Sequence, residues 1–407
     1  MATRQDLIDL LRLARQSLAT NIHRLGDGHY LAAGQYQFRS LWTRDFLWSV
    51  RGLVACDDDV ARNVITDQLD RLFRDLDKHP DGYKNLLPRV LDSMKTTWRV
   101  TISVALRRPL PLTSDLKEEL FDQYRGIAFD GNMLAVLMAA RYLKSRAAAW
   151  YERNKRTLAS LLRFYDGHRG PDGVLLDQPP YSDWQDSIDR RGATFLSNLI
   201  YACALGAVTD DPAFAVDPDA LATLREQIDR EFFDERAQLY RSWASRDQIS
   251  LDGNLLAIDL DYLSLERKVA LYRNLLRHPL WASPGGPGFV TWRDYDHTDK
   301  SPLVRNPAVG LRGYHDSLYW SWLIALSAKV SAEMVPHVPE AAEHAERLFE
   351  RLVRMARRDN GIGEVYRTGD EPFVLAAPRY RSDHPFSWGA AFVIDATTYA
   401  LEHVVRA

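Results

Sequence analysis

Asp130-Gly131-Asn132-Met133-Leu134-Ala135 and Asp252-Gly253-Asn254-Leu255-Leu256-Ala257 agree at five of six positions and lie 122 residues apart. Each opens a segment whose apolar residues recur with helical period. In each, an Asp is placed to cap the helix while Gly and Asn open its first turn. An offset of this size holds two helical hairpins, so the pair reads as one unit of a repeated array. The same spacing appears upstream, where Leu7, Leu10, Leu11, Leu13, Ala14, Leu18 and Ile22 line one face of residues 5–24. It recurs at about 45–56, 58–77, 130–145, 147–165, 190–206, 218–233, 252–261, 263–276, 315–331, 339–358 and 386–404.

These twelve segments predict an all-α protein. Strand-like alternation is scarce, and Gly and Pro collect between the helices, as in 283–288. Twelve helices over 407 residues occupy about 34 residues each with their loops, a hairpin period of roughly 60 to 70 residues. Such hairpins can close into a toroid of six inner and six outer helices. The expected fold is an (α/α)6 barrel forming one domain over residues 1–407, with a loop insertion at about 78–116 and long loops making a funnel on one rim.

Composition narrows the function. The 52 Lys+Arg and 55 Asp+Glu are dispersed and leave a net charge of −3, which lacks the basic footprint of a nucleic-acid binder. Residues 1–20 carry charges throughout, unlike a signal peptide, and no apolar run approaches a membrane span, so a cytoplasmic protein with no membrane partner is expected. Cys56 and Cys203 sit in apolar helical text and read as core residues. No phosphate loop or His-Glu-x-x-His occurs, and Asp57-Asp58-Asp59 reads as a capped helix start, so no metal or cofactor is expected. The 11 Trp and 18 Tyr fall largely in loop text beside Asp, Arg and His, a mixture suited to the apolar and hydroxylated faces of a small sugar.

Six segments lack a helical face: roughly 25–44, 78–98, 166–189, 234–251, 277–314 and 360–385. Long loops emerging at one end of a helical array can present residues to a common pocket. In Tyr181-Ser182-Asp183-Trp184-Gln185-Asp186-Ser187, two acids flank an indole. A carboxyl in such a dry setting has its ionised form disfavoured, which makes Asp186 the candidate proton donor. A helix cap is the plainer role for Asp186 or Asp189, and Asp183 is equally suited to a structural partnership. Glu364 lies in Gly361-Ile362-Gly363-Glu364-Val365-Tyr366, bracketed by glycines and followed by Phe386-Ser387-Trp388, and is placed like a base. One neutral acid and one carboxylate across an acetal is the arrangement for glycosidic cleavage. A separation of about 6.5–9.5 Å implies inversion, and about 5–5.5 Å retention.

The ordered text Leu41-Trp42-Thr43-Arg44-Asp45, Asp183-Trp184-Gln185-Asp186-Ser187, Tyr314-His315-Asp316-Ser317-Leu318-Tyr319-Trp320, Gly363-Glu364-Val365-Tyr366 and Phe386-Ser387-Trp388 resembles the six-hairpin glycosidases. Within that group it is similar to amylo-α-1,6-glucosidases, alkaline invertases and mannosyl- and glucosylglycerate hydrolases, and the similarity runs from residue 36 to 392. The resemblance implies an inverting hydrolase that cleaves a terminal α-linked glucosyl-type residue from a small glycoside or oligosaccharide, with Asp186 as general acid and Glu364 as general base. It further implies a sugar subsite drawn from Trp42, Arg44, Asp45, Asp183, Trp184, Tyr314, His315, Trp320, Tyr366 and Trp388; the repeat, read as more than two helix starts built alike, adds Asn132 or Asn254 at a helix mouth. Asp316-Ser317 stands where Asn-Gly is common, Ser321 replaces a Pro, and no Gln-Ala precedes Ser387, so the substrate is not carried over. The insertion, with Tyr83, Arg89, Trp98, Arg99 and Arg107-Arg108, has no counterpart in the resemblance and is suited to lid the funnel or to bind an acidic aglycone. Two further readings use the same barrel: a sugar epimerase moving protons with His315 and His384, and a carbohydrate-binding protein without chemistry.

Overall fold

The amphipathic segment at the start of the chain folds as α1 (Arg4–Thr20), opened by a reciprocal cap in which Asp6 N donates to Thr3 Oγ1 and Thr3 N to Asp6 Oδ2. The computed structural model describes residues 2–282, 287–369, 372–377 and 379–404; positions 283–286 of the expected Gly- and Pro-rich loop lie outside the described residues. Among the described residues, eleven further helices complete the array: α2 (Thr43–Cys56), α3 (Asp59–Phe73), α4 (Phe129–Met138, prolonged by a π turn over Ala139–Leu143), α5 (Ala148–Arg163), α6 (Phe195–Val208), α7 (Pro218–Phe232), α8 (Leu251–Asp259), α9 (Leu265–Arg277), α10 (Ser321–Met334), α11 (Ala341–Asp359) and α12 (Ser387–His403).

The even-numbered helices form the inner ring. Each of α2, α4, α6, α8, α10 and α12 packs on the next, and α12 returns to α2. The odd-numbered helices cover them outside: α1 on α12, α3 on α2, α5 on α4, α7 on α6, α9 on α8 and α11 on α10. Sequence accounts for the division. Inner helices such as α10 are buried along nearly their whole length, whereas α11 buries one stripe containing Leu348, Phe349, Leu352, Val353 and Ala356 and exposes Glu343, Arg347, Arg354 and Arg357 on the opposite face. Close approach of α2 to α12 requires Gly52, where a Cβ would collide with Ala391. The structure is an (α/α)6 barrel, and no described helix is long and apolar enough to cross a membrane.

Local departures have local causes. The helix expected from 315 begins at Ser321, because Tyr319 and Trp320 pair in a strand with Tyr366 and Val365. The helix expected from 190 begins at Phe195, because Gly192 and Ala193 pair with Gln178 and Asp177. The insertion adds a strand, Val90–Asp92, between Leu41–Trp42 and Lys117–Glu119, and a helix, Thr96–Leu106. Asp58 caps α3, accepting from Ala61 N at 2.7 Å. Asp130 and Asp252 are not caps, since Ala128 and Ser250 hold those positions. Cys56 and Cys203 are free thiols.

Within the ring, Asp259 accepts from Arg51 Nη2 at 2.9 Å and Lys329 Nζ at 2.5 Å, and Arg51 also pairs with Asp395 at 3.0 Å. Asp259→Ala is expected to destabilise the fold by about 3–5 kcal/mol in denaturant unfolding, because two buried cations lose a shared partner. Asp59→Ala breaks only an exposed pair with Arg62 and should cost less than about 1 kcal/mol. Equal losses in the two variants would refute the structural weight given to the buried network.

Candidate active site

The inner helices bring their N-terminal ends to one place. Trp42 caps α2, and Arg44 and Asp45 stand in its first turn; Trp320 caps α10, and Trp388 lies in the first turn of α12. All five border a cavity of about 320 Å³, as do Trp184, Asp186, Tyr314, His315 and Glu364. That volume is of small-molecule size. Its floor is aromatic: Trp388 stacks on Trp322 with centroids 4.8 Å apart, and Trp184 meets Trp320 and Trp388 edge-on at 5.2 and 5.9 Å.

The two repeated Asp residues hold this floor and wall. Asp130 accepts from Arg44 Nε at 2.6 Å, and Asp252 accepts from Trp184 Nε1 at 2.5 Å. The repeated Asn residues tie loops instead. Asn132 Oδ1 accepts from Leu87 N at 2.8 Å and Asn254 Oδ1 from Tyr240 N at 2.9 Å. Asn198 of α6 does the same for Leu176 N at 2.8 Å, a third copy of the device without the repeated hexapeptide around it.

Asp186 has a side chain that is 30% exposed. Arg89 Nη2 donates to it at 2.8 Å, and Arg44 Nη1 lies 3.8 Å away. Burial pushes its carboxyl up from the ordinary range, while the two guanidiniums oppose the rise. Glu364 is buried and meets different partners. Tyr314 and Tyr380 each donate a hydroxyl to it at 2.8 Å, and Asp383 N donates at 3.1 Å. Burial, aided by the Asp383 charge, raises its carboxyl to about 8 against the pull of those donors. Asp45 borders the same cavity and is raised to about 7, again chiefly by burial.

His315 is held neutral, its pKa well below the ordinary value because of burial, and its Nδ1 lies 2.6 Å from Ser187 Oγ. Its Nε2 has no hydrogen-bond partner among the described residues, nor do the indole nitrogens of Trp42 and Trp388. A hydroxylated ligand offers partners to all three.

Three expected sugar contacts do not border the cavity. Asp183 is consumed by an ion pair with Arg190 and a 2.9 Å bond from Gln178 Nε2. Asn254 is consumed by the backbone of Tyr240 and Ser250. Tyr366 turns its hydroxyl to accept from Gly363 N at 2.8 Å. His384 also lies off the cavity, so no pair of histidines faces a common substrate there. Gln37, Tyr380 and Asp383, and the grip of Arg89 on the acid, carry no local signal in the sequence. Gln37 borders the cavity, is 1% exposed, and has neither amide atom partnered among the described residues.

No family model matches the chain, and no curated protein matches it in sequence. Solved structures do match in fold. A glycosidase in complex with glucose superposes with TM-score 0.61 at 14% identity, covering 98% of this chain and 99% of the other. The GH63 mannosylglycerate hydrolase from Thermus thermophilus in complex with glucose gives 0.60 at 16% identity, covering 95% and 99%. A rhamnosidase from Klebsiella oxytoca with rhamnose bound gives 0.63 at 13% identity, covering 97% of this chain and 64% of that one. The chain thus shares its barrel fold with these glycosidases.

Proposed function

We propose that the protein is an inverting glycoside hydrolase that removes a terminal α-linked glucosyl-type residue from a small glycoside. The observation that carries this reading is that Asp186 and Glu364, in contrasting environments, border one cavity with an aromatic floor. Asp186 gives its proton to the glycosidic oxygen as the bond to the anomeric carbon breaks. Glu364 takes a proton from a water whose oxygen forms the new bond from the opposite face. The products are a free sugar of inverted configuration and an alcohol. Arg44 and Asp45 are placed to fix vicinal hydroxyls, and Trp42 and Trp388 to wall the ring. Glucose complexes among the structural neighbours favour a glucosyl-type sugar.

A second reading exchanges the two acids. The arginines beside Asp186 favour a carboxylate there, as a base requires, while Glu364 keeps its proton, as an acid requires. Both readings predict release of a reducing sugar from α-linked glucosides when these are incubated with the protein. Absence of release across a panel of α- and β-glycosides would remove both.

A further inference from the structure

Two segments flank Asp186, and both present apolar side chains to the cavity. The insertion supplies Arg89, which grips the acid, and Val100, and the chain just after it supplies Phe121. On the other side Ser187 O accepts from Ser301 N at 2.7 Å, and the chain beyond Ser301 brings Leu303, Val309 and Leu311 to the cavity wall. Phe121 and Leu303 are 36% and 43% exposed, so they stand at its mouth.

The acidic groups of this region are already committed. Glu119 accepts from Thr96 N at 2.6 Å, and Asp122 from Tyr124 N at 2.8 Å and Gly126 N at 2.7 Å. The basic residues that suggested an acidic aglycone are likewise engaged or elsewhere. Arg99 closes on Asp92 within the insertion, and Arg107 and Arg108 do not border the cavity. Of the three arginines described at the cavity, Arg44 and Arg89 are turned to Asp186, and Arg379 is exposed.

A general acid stands beside the leaving group, because it protonates the oxygen that departs. We propose that Val100, Phe121, Leu303, Val309 and Leu311 form a leaving-group subsite for an uncharged apolar alcohol, so that the preferred substrate is an alkyl or aryl glycoside. This rests on the hydrolase reading with Asp186 as proton donor.

The test compares methyl and n-octyl glucosides of both anomers, the latter below its micelle threshold, with glucosylglycerate as the acidic probe. Methyl and octyl leaving groups have similar basicity, so a difference reports on contact. Each methylene taken from water is worth about fourfold, so two or three covered methylenes give octyl glucoside about a tenfold or greater advantage in kcat/KM. Binding is followed in parallel by tryptophan fluorescence, since Trp42 and Trp388 border the cavity. Val100→Ser and Leu303→Ser should each move the octyl-to-methyl ratio towards one. Equal hydrolysis of the methyl and octyl glucosides, or preference for glucosylglycerate, overturns the subsite and leaves the hydrolase reading standing. Tighter octyl binding without turnover keeps the subsite and overturns the hydrolase. Neither binding nor turnover overturns both.

Discussion

Glu364→Gln is expected to lower kcat by about 10²- to 10⁴-fold on every glycoside, whatever its leaving group, because no activated substrate supplies the missing base. Gln keeps an acceptor for the Tyr314 or Tyr380 hydroxyl, so the loss should come without collapse of the site. The pH profile provides a second signature. Glu364 works ionised and titrates at about 8, so wild-type kcat/KM should carry a limb near that pH which the Gln variant lacks. Stability should show it too. The native carboxyl sits above the ordinary 4.5, so between pH 4.5 and 8 the native state holds a proton that the unfolded chain has released. Wild-type stability therefore declines with rising pH across that window, and this contribution is absent in the variant. In Glu364→Ala, azide should restore turnover by attacking without deprotonation, giving the inverted glycosyl azide. Near wild-type rates in Glu364→Gln would remove this residue from the mechanism.

Asp186→Asn is expected to cut hydrolysis of alkyl glucosides by a similar factor, but to spare glucosyl fluoride and 2,4-dinitrophenyl glucoside, whose leaving groups depart without a proton. That contrast assigns the roles of the two carboxyls. Arg89 and Arg44 bias Asp186 towards its ionised form, whereas tyrosine and amide donors alone restrain Glu364. The competent species, with Asp186 protonated and Glu364 ionised, is then a minor form of the singly protonated pair. If Glu364→Gln were the variant rescued by the fluoride and Asp186→Asn the one impaired on all substrates, the exchanged assignment would hold.

The barrel was legible because its two kinds of helix leave different sequence signatures. An inner helix is covered on every side and reads as near-continuous apolar text, while an outer helix such as α11 shows one stripe. The repeated hexapeptide pointed correctly to helix starts but not to what its Asp and Asn do. Their partners, Arg44, Trp184, Leu87 and Tyr240, lie far away in sequence or in loops whose course no local rule gives. The same reason hid the surroundings of Glu364. Tyr314 and Tyr380 reach it across 50 and 16 positions by strand pairing and loop closure, which periodicity does not report. Sequence alone makes Arg89 part of a lid or an aglycone contact, whereas the strand that follows it pairs with Leu41–Trp42 and sets the arginine on the acid itself.

The configuration of the sugar at the moment of release tests the two-carboxylate cleavage most directly. Proton NMR recorded in the first minutes of hydrolysis of an α-glucoside, before mutarotation, should show β-glucose accumulating first. α-Glucose first would mean a retaining, covalent route and contradict the assignment of Glu364 as a base acting on water.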